Sequence, residues 1–126
     1  MVKYRHLFTK HNPFGGLTLV YTEEIDLHGM YIEYRFSVCS DKDHYCRKIG
    51  INTALTKQPI RFYLYHNVDS TVESILVNIL HSNQLPKHAV CTILLELDAI
   101  AYIKFEKTCL RNRELVSENK KGEFDE

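Results

Sequence analysis

Apolar and polar residues alternate along three stretches of the chain, and this pattern predicts three β-strands. The stretches are 17–27, 31–39 and 59–65. A period of two is what a half-buried strand requires, because successive side chains point to opposite faces of a sheet. The apolar series are Leu17, Leu19, Tyr21, Ile25 and Leu27, then Ile32, Tyr34, Phe36 and Val38, then Ile60, Phe62 and Leu64.

The first two strands are predicted to form a hairpin with a two-residue turn at His28-Gly29. Glycine favours such a turn because it accepts a positive φ at no steric cost. This turn would pair Leu19 with Val38, Tyr21 with Phe36 and Ile25 with Ile32, and all of these side chains lie on one face.

The pattern between and after the strands predicts three helices. The first spans 40–58: Ser40 and Asp43 form a capping-box variant, and Pro59 disfavours helical geometry in the preceding residue. Gly50 inside this helix costs about 1 kcal/mol relative to alanine, so we expect a strand or a partner to approach closely there. The second helix follows a capping box at Ser70 and Glu73, and the third runs from Lys87 to about Leu110 with apolar residues on most sides.

These elements indicate an α+β fold in the order β-β-α-β-α-α. We expect a three-stranded sheet with helices packed on one face, and a crossover through the first helix that leaves its strands parallel or neighbouring. Residues 1–112 would form one domain with a basic N-terminal arm, 1–16. Residues 113–126 are highly charged and are expected to be a disordered tail.

The sheet face opposite the helices is predicted to be rich in tyrosine and arginine. These are the residue types favoured in binding hot spots. We therefore expect a partner to bind this face and the adjacent helix start. The competing interpretation is that the third helix, or a second copy of the chain, covers it. The candidate partner-binding residues are Tyr31, Arg35, Arg61, Tyr63 and Tyr65 on the strands, with Arg47 and Lys48 on the helix.

Composition and charge narrow the class of protein. The chain has 126 residues and a formal net charge of zero, which argues against a general nucleic-acid coat. The N-terminus lacks the apolar region of a signal peptide, and no apolar run reaches transmembrane length. We expect a cytoplasmic protein with reduced thiols and no membrane contact.

The titratable residues around 39–46 do not form a complete catalytic or metal-binding motif. Cys39, His44 and Cys46 lack a fourth spaced ligand for zinc and an orienting group for a nucleophile. Helix capping explains Asp41 and Asp43 more simply than acid–base catalysis does. We therefore predict a protein that is not an enzyme and that holds no metal or cofactor.

The segment 36–50 resembles a recurring segment of small bacteriophage accessory proteins. In those proteins a strand ends in Cys-Ser, followed by Lys-Asp, an aromatic residue, two basic residues and glycine, and then a helix of small residues. The matching positions here are Lys42, Asp43, Tyr45, Arg47, Lys48, Gly50 and Ala54, whereas Ile51 departs from the expected basic residue.

This resemblance implies a phage or prophage protein that acts in the host cytoplasm. Small phage proteins of this kind often bind and block a host protein, such as an antiviral defence factor, and this is the leading hypothesis. The alternative is a nucleic-acid-binding regulator that uses the Tyr/Arg-rich sheet face. A homodimer is compatible with either hypothesis.

Overall fold

The computed structural model describes residues 1–8, 13–64 and 71–124, except the side chains of 114–124. It confirms the α+β class. The elements are β1 (Lys3–Leu7), β2 (Phe14–Asp26), β3 (Gly29–His44), α1 (Arg47–Leu55), β4 (Ile60–Tyr63), α2 (Thr71–Ser82) and α3 (Lys87–Phe124).

The sheet has four antiparallel strands in the order β1-β2-β3-β4, where the sequence predicts three. The additional strand is β1, which lies in the predicted N-terminal arm and pairs with β2. Leu7 stands opposite Leu17, and both side chains are buried. Burial of this pair gives the short strand its place at the sheet edge.

The predicted hairpin register is wrong by two residues. The turn residues are Leu27 and His28, and Leu19 faces Phe36 rather than Val38. Asp26 accepts a hydrogen bond from the His28 backbone amide, 2.7 Å away, so its side chain stabilises the turn one residue earlier than predicted. A shift of two keeps every side chain on its predicted face, because the period of a strand is two.

The predicted helix start at Ser40 is also wrong, because β3 continues to His44 and α1 begins at Arg47 after Cys46. The strand continues because β2 extends back to Phe14, which pairs with His44. The Ser40 hydroxyl accepts a hydrogen bond from the Lys42 amide in this extended segment. Asp41 and Asp43 therefore cap no helix.

The strand after α1 returns to the neighbouring position in the sheet, as one of the two predicted arrangements requires. It runs antiparallel to β3, with Tyr31 opposite Tyr63, so the parallel arrangement is wrong. The reason is that β4 pairs with the start of β3, whereas α1 packs near its end.

Helices pack on both faces of the sheet, which corrects the prediction that one face is free of helices. The first face carries the main core, where α2 and α3 cover the apolar side of the strands. On the second face α1 contacts β2 and β3. The buried core residues are Leu7, Leu17, Leu19, Tyr21, Ile32, Tyr34, Ile75, Leu76, Ile79 and Ile93.

The long helix α3 presents a different side to the core than the sequence predicts. The apolar spacing of the sequence predicts nearly complete burial of Leu94 and Leu97. This is wrong, because Leu94 is 50% exposed and Leu97 is only partly buried, whereas Ala89 and Ile93 are buried. An apolar residue on every side of a helix leaves the buried side undefined until neighbours are known. The helix backbone continues to Phe124 without a break at residue 113.

None of the helices in the described residues is long and apolar enough to cross a membrane.

Candidate functional site

A group of polar and aromatic side chains occupies the second sheet face near the β2–β3 turn, beyond the end of α1. We call it the open-face cluster, and its residues are Asp26, Tyr31, Glu33, Arg61 and Tyr63. Neighbouring strands position it, because Tyr31 faces Tyr63 and Glu33 faces Arg61 across the β3–β4 pair. Directly opposed residues share a face, so the strand register alone brings these side chains together.

Arg61 is the centre of the open-face cluster. Its guanidinium carbon lies 4.3 Å from the centroid of the Tyr31 ring, which is cation–π distance. The same group donates two hydrogen bonds to Glu33 Oε1, at 3.1 Å from Nε and 2.6 Å from Nη2. The hydrogen bonds to Glu33 raise the pKa of Arg61 above its ordinary value. The guanidinium is thus held in one orientation over a ring that solvent reaches.

Tyr63 extends the cluster toward the hairpin turn. Its hydroxyl donates to Asp26 Oδ2 over 2.7 Å, and its ring stands edge-on to Tyr31 with centroids 5.7 Å apart. This hydrogen bond lowers the pKa of Asp26 and raises the pKa of Tyr63. Tyr63 is still 41% exposed. Two rings and a guanidinium are therefore ordered at the surface by contacts among themselves.

The charge around the open-face cluster is negative. Among the described residues at this end of the face, Asp26, Glu33 and Glu24 are acidic and Arg61 is the one cation. Arg61 is already paired with Glu33. Such a surface repels phosphate and favours a partner that supplies cations or hydroxyl donors.

The other candidate binding residues lie elsewhere. Arg35 is on the same face, but its Nε donates to the Lys57 carbonyl over 3.0 Å and so anchors the turn after α1. Arg47 lies over the Phe8 ring at 5.6 Å, and Lys48 is exposed in the first turn of α1. Tyr65 lies outside the described residues. The structure thus brings three of the seven candidates together: Tyr31, Arg61 and Tyr63.

A second polar group lies under the start of α1. The Tyr45 hydroxyl lies 2.6 Å from His6 Nδ1 and 2.7 Å from Thr18 Oγ1. Burial and the nearby charge of Arg47 lower the pKa of His6, whereas burial raises the pKa of Tyr45. Thr18 and His6 share the Tyr45 hydroxyl as a hydrogen-bond partner. This chain of hydrogen bonds joins β1, β2 and the segment before α1.

A cavity of about 470 Å³ adjoins this group, lined by the end of β3 and by α1. Cys39 lies in its wall, and burial together with the nearby charge of Asp43 raises the pKa of its thiol. A raised pKa disfavours the nucleophilic thiolate. In the described part of the chain, no three His, Cys, Asp or Glu side chains are grouped so as to hold a metal ion.

The sequence interpretation does not include Asp26 or the contact between His6 and Tyr45. Asp26 was not a candidate, although an aspartate immediately before a two-residue turn is typical of an Asx turn. The contacts of His6 and Tyr45 had no local signal, because they are 39 residues apart and meet only once β1 joins the sheet.

No family model, no curated protein and no solved structure matches this chain.

Proposed function

We propose that this chain is a small, non-enzymatic accessory protein of phage type that binds a host protein through the open-face cluster. The observation that carries the proposal is an ordered, solvent-accessible group of two tyrosines and one arginine on a sheet face whose other half is covered. Preorganised aromatic and arginine side chains lose little entropy on binding, and they dominate the affinity of many interfaces.

Charge around the cluster supports a protein partner in preference to a nucleic acid. Three carboxylates, Asp26, Glu24 and Glu33, lie on the same end of this face, and Arg61 is already paired with Glu33. Phosphate binding requires free cations and the release of counterions. The complementary partner surface carries a basic side chain next to an apolar pocket that accepts a tyrosine ring. Under this proposal the chain acts in the cytoplasm of the infected host, and a defence factor is the kind of target that the resemblance implies.

The test is affinity capture from a bacterial host lysate with the full chain as bait. Three baits are compared: the unmodified chain, Arg61→Ala, and the control Asn52→Ala on the exposed side of α1. We expect a host protein that is retained by the unmodified chain and by the control, and that Arg61→Ala loses. Retention should persist after nuclease treatment.

Two outcomes would contradict this proposal. Capture that disappears with nuclease, and whose affinity falls steeply with salt, would favour the nucleic-acid alternative. A host protein retained equally by all three baits would move the binding surface away from the open-face cluster. Lys48→Ala in the same experiment tests whether the start of α1 contributes.

A further inference from the structure

The solvent side of α3 carries an apolar stripe that none of the described residues covers. Leu95, Tyr102 and Phe105 are 60%, 62% and 66% exposed. They point away from Ala89 and Ile93, which are buried against the rest of the fold. Large apolar side chains that follow one another along one side of a helix indicate a surface that meets a partner.

The spacing of this stripe is that of a helix-pairing seam. Steps of four and three residues alternate along it, which is the period of a coiled coil and differs from the period of an isolated helix. We call this set the α3 seam, and its residues are Cys91, Leu95, Asp98, Tyr102, Phe105 and Cys109.

We propose that two copies of the chain form a dimer by packing their α3 seams against each other in antiparallel orientation. In this arrangement each seam residue faces a seam residue of the second copy, and the two residue numbers of every facing pair add to 200. Cys91 then faces Cys109 of the second copy, Leu95 faces Phe105, and Asp98 faces Tyr102. All six layers are filled, and each contact occurs twice, as a two-fold axis requires.

The polar layer selects the antiparallel orientation. In a parallel pair Asp98 would face Asp98 of the second copy, which places two carboxylates together in a closed interface. In the antiparallel pair the Tyr102 hydroxyl of one copy can donate to the Asp98 carboxylate of the other. Ala99 and Ala101 lie on either side of the central layer, and their small side chains allow the two helices to approach closely.

The exposed seam supplies a substantial part of the area of a specific contact. From their exposed fractions, burial of Tyr102 and Phe105 in two copies removes roughly 500 Å² from water. Specific interfaces bury about 1,200–2,000 Å² in total, so the two rings supply about two-fifths of the lower limit and Leu95 adds to it. The open-face cluster lies on the other side of the sheet, so a dimer keeps two copies of it accessible.

The first test is the oligomeric state of the full chain by sedimentation equilibrium, with matched variants. Phe105→Glu alters the seam, and Ile103→Glu makes the same change at another exposed apolar position of α3, outside the seam. We expect a dimer whose dissociation constant rises about 30-fold or more with Phe105→Glu and little with Ile103→Glu. A monomeric unmodified chain at 100 µM, about the concentration where a weak dimer still forms, would overturn the proposal. A dimer that both variants weaken equally would also do so.

The second test reads the register with a short thiol-to-thiol bismaleimide crosslinker. In a Cys39→Ser/Cys46→Ser background the two remaining thiols are Cys91 and Cys109. We expect crosslinked dimer in this background, none after Cys91→Ser or Cys109→Ser alone, and its return when those two variants are mixed. A parallel pair would crosslink each single variant by itself, and that result would overturn the antiparallel register.

Discussion

The two halves of the second sheet face contain similar residues, but one half is covered by a helix and the other is accessible to solvent. Toward the β1 edge and the end of β3, α1 covers the face, and Thr18 and Ser37 beneath it are buried. Toward the β2–β3 turn no helix of the described residues packs, and Tyr31, Arg61 and Tyr63 remain accessible. Both halves hold hydrogen-bonded tyrosines. In the covered half the partners of Tyr45 are the buried Thr18 and the partly buried His6, whereas in the open half the partner of Tyr63 is the exposed carboxylate of Asp26.

The covered half accepts a helix because two of its contact residues, Gly50 and Ser37, are small. Gly50 allows α1 to approach the sheet, and Ser37 donates to the Gly50 carbonyl over 2.7 Å. A methyl group at Gly50 would lie 2.9 Å from Thr18 Cβ and closer still to its hydroxyl. In the open half the bulkier Tyr31 and Arg61 occupy this face, and no helix of the described residues packs on them. The covered half therefore contributes to stability, and the open half is available for binding.

Substitutions in the core on the first face should change the free energy of unfolding most, and they provide the reference for the two halves of the second face. Leu76 is fully buried, so Leu76→Ala should lower the free energy of unfolding by about 2–5 kcal/mol. Leu94→Ala, which truncates a half-exposed leucine, should cost clearly less. Urea unfolding of both variants measures the difference. Equal losses would show that α3 presents another side to the core than the structure shows.

Gly50→Ala tests the contact that closes the covered half. Overpacking against Thr18 should lower stability by about 1–3 kcal/mol, despite the better helix propensity of alanine. The exposed Asn52→Ala in the same helix is the control and should change stability by less than about 0.5 kcal/mol. Adding Thr18→Ala to Gly50→Ala should recover part of the loss. A Gly50→Ala variant as stable as the control would refute the close approach.

Removing one hydroxyl from each half compares them directly. Tyr45→Phe leaves the buried Thr18 and the partly buried His6 without their shared partner and should cost about 1–3 kcal/mol. Tyr63→Phe removes a bond to an exposed carboxylate and should cost less than about 0.5 kcal/mol. Thermal and urea unfolding give both values. A larger cost for Tyr63→Phe would reverse the roles assigned to the two halves.

Mild acid should weaken the covered half more than the open half. Because the pKa of His6 is lowered in the folded state, the folded chain binds fewer protons than the unfolded chain just below pH 6.5. The contribution of His6 is therefore present above the unfolded pKa and lost as the pH falls. His6→Asn, which retains a hydrogen-bonding group near the Nδ1 position, should reduce the drop in melting temperature between pH 7.5 and 5.5. An unchanged drop would assign it to other groups.

The sequence predicts what depends on periodicity and misses what depends on contacts distant in sequence. Alternation identifies β2, β3 and β4 and places Tyr31, Arg61 and Tyr63 on one face even with the wrong register, because a shift of two preserves the face. The predicted start of α1 at Ser40 is wrong because strand pairing between Phe14 and His44 is more favourable than the local capping pattern. No local signal reports such pairing.

At Gly50 the sequence predicts a close approach but not the residue that makes it. Its cost inside a helix correctly indicates that something approaches closely, but the sequence does not say that Thr18 is the neighbour. The same limit applies to α3, whose apolar residues predict burial on most sides without distinguishing Ile93 from Leu94. Strand neighbours and helix facing are decided by the assembled fold.

The most direct test of the central claim is the affinity of the captured host protein for Arg61→Ala/Tyr63→Ala, measured by titration calorimetry alongside the melting temperature. We expect a nearly unchanged melting temperature, since both side chains are partly exposed. We also expect the dissociation constant to rise about 30-fold or more, the loss typical of a single hot spot. A variant that folds normally and binds with unchanged affinity would contradict the claim that the open half exists for binding.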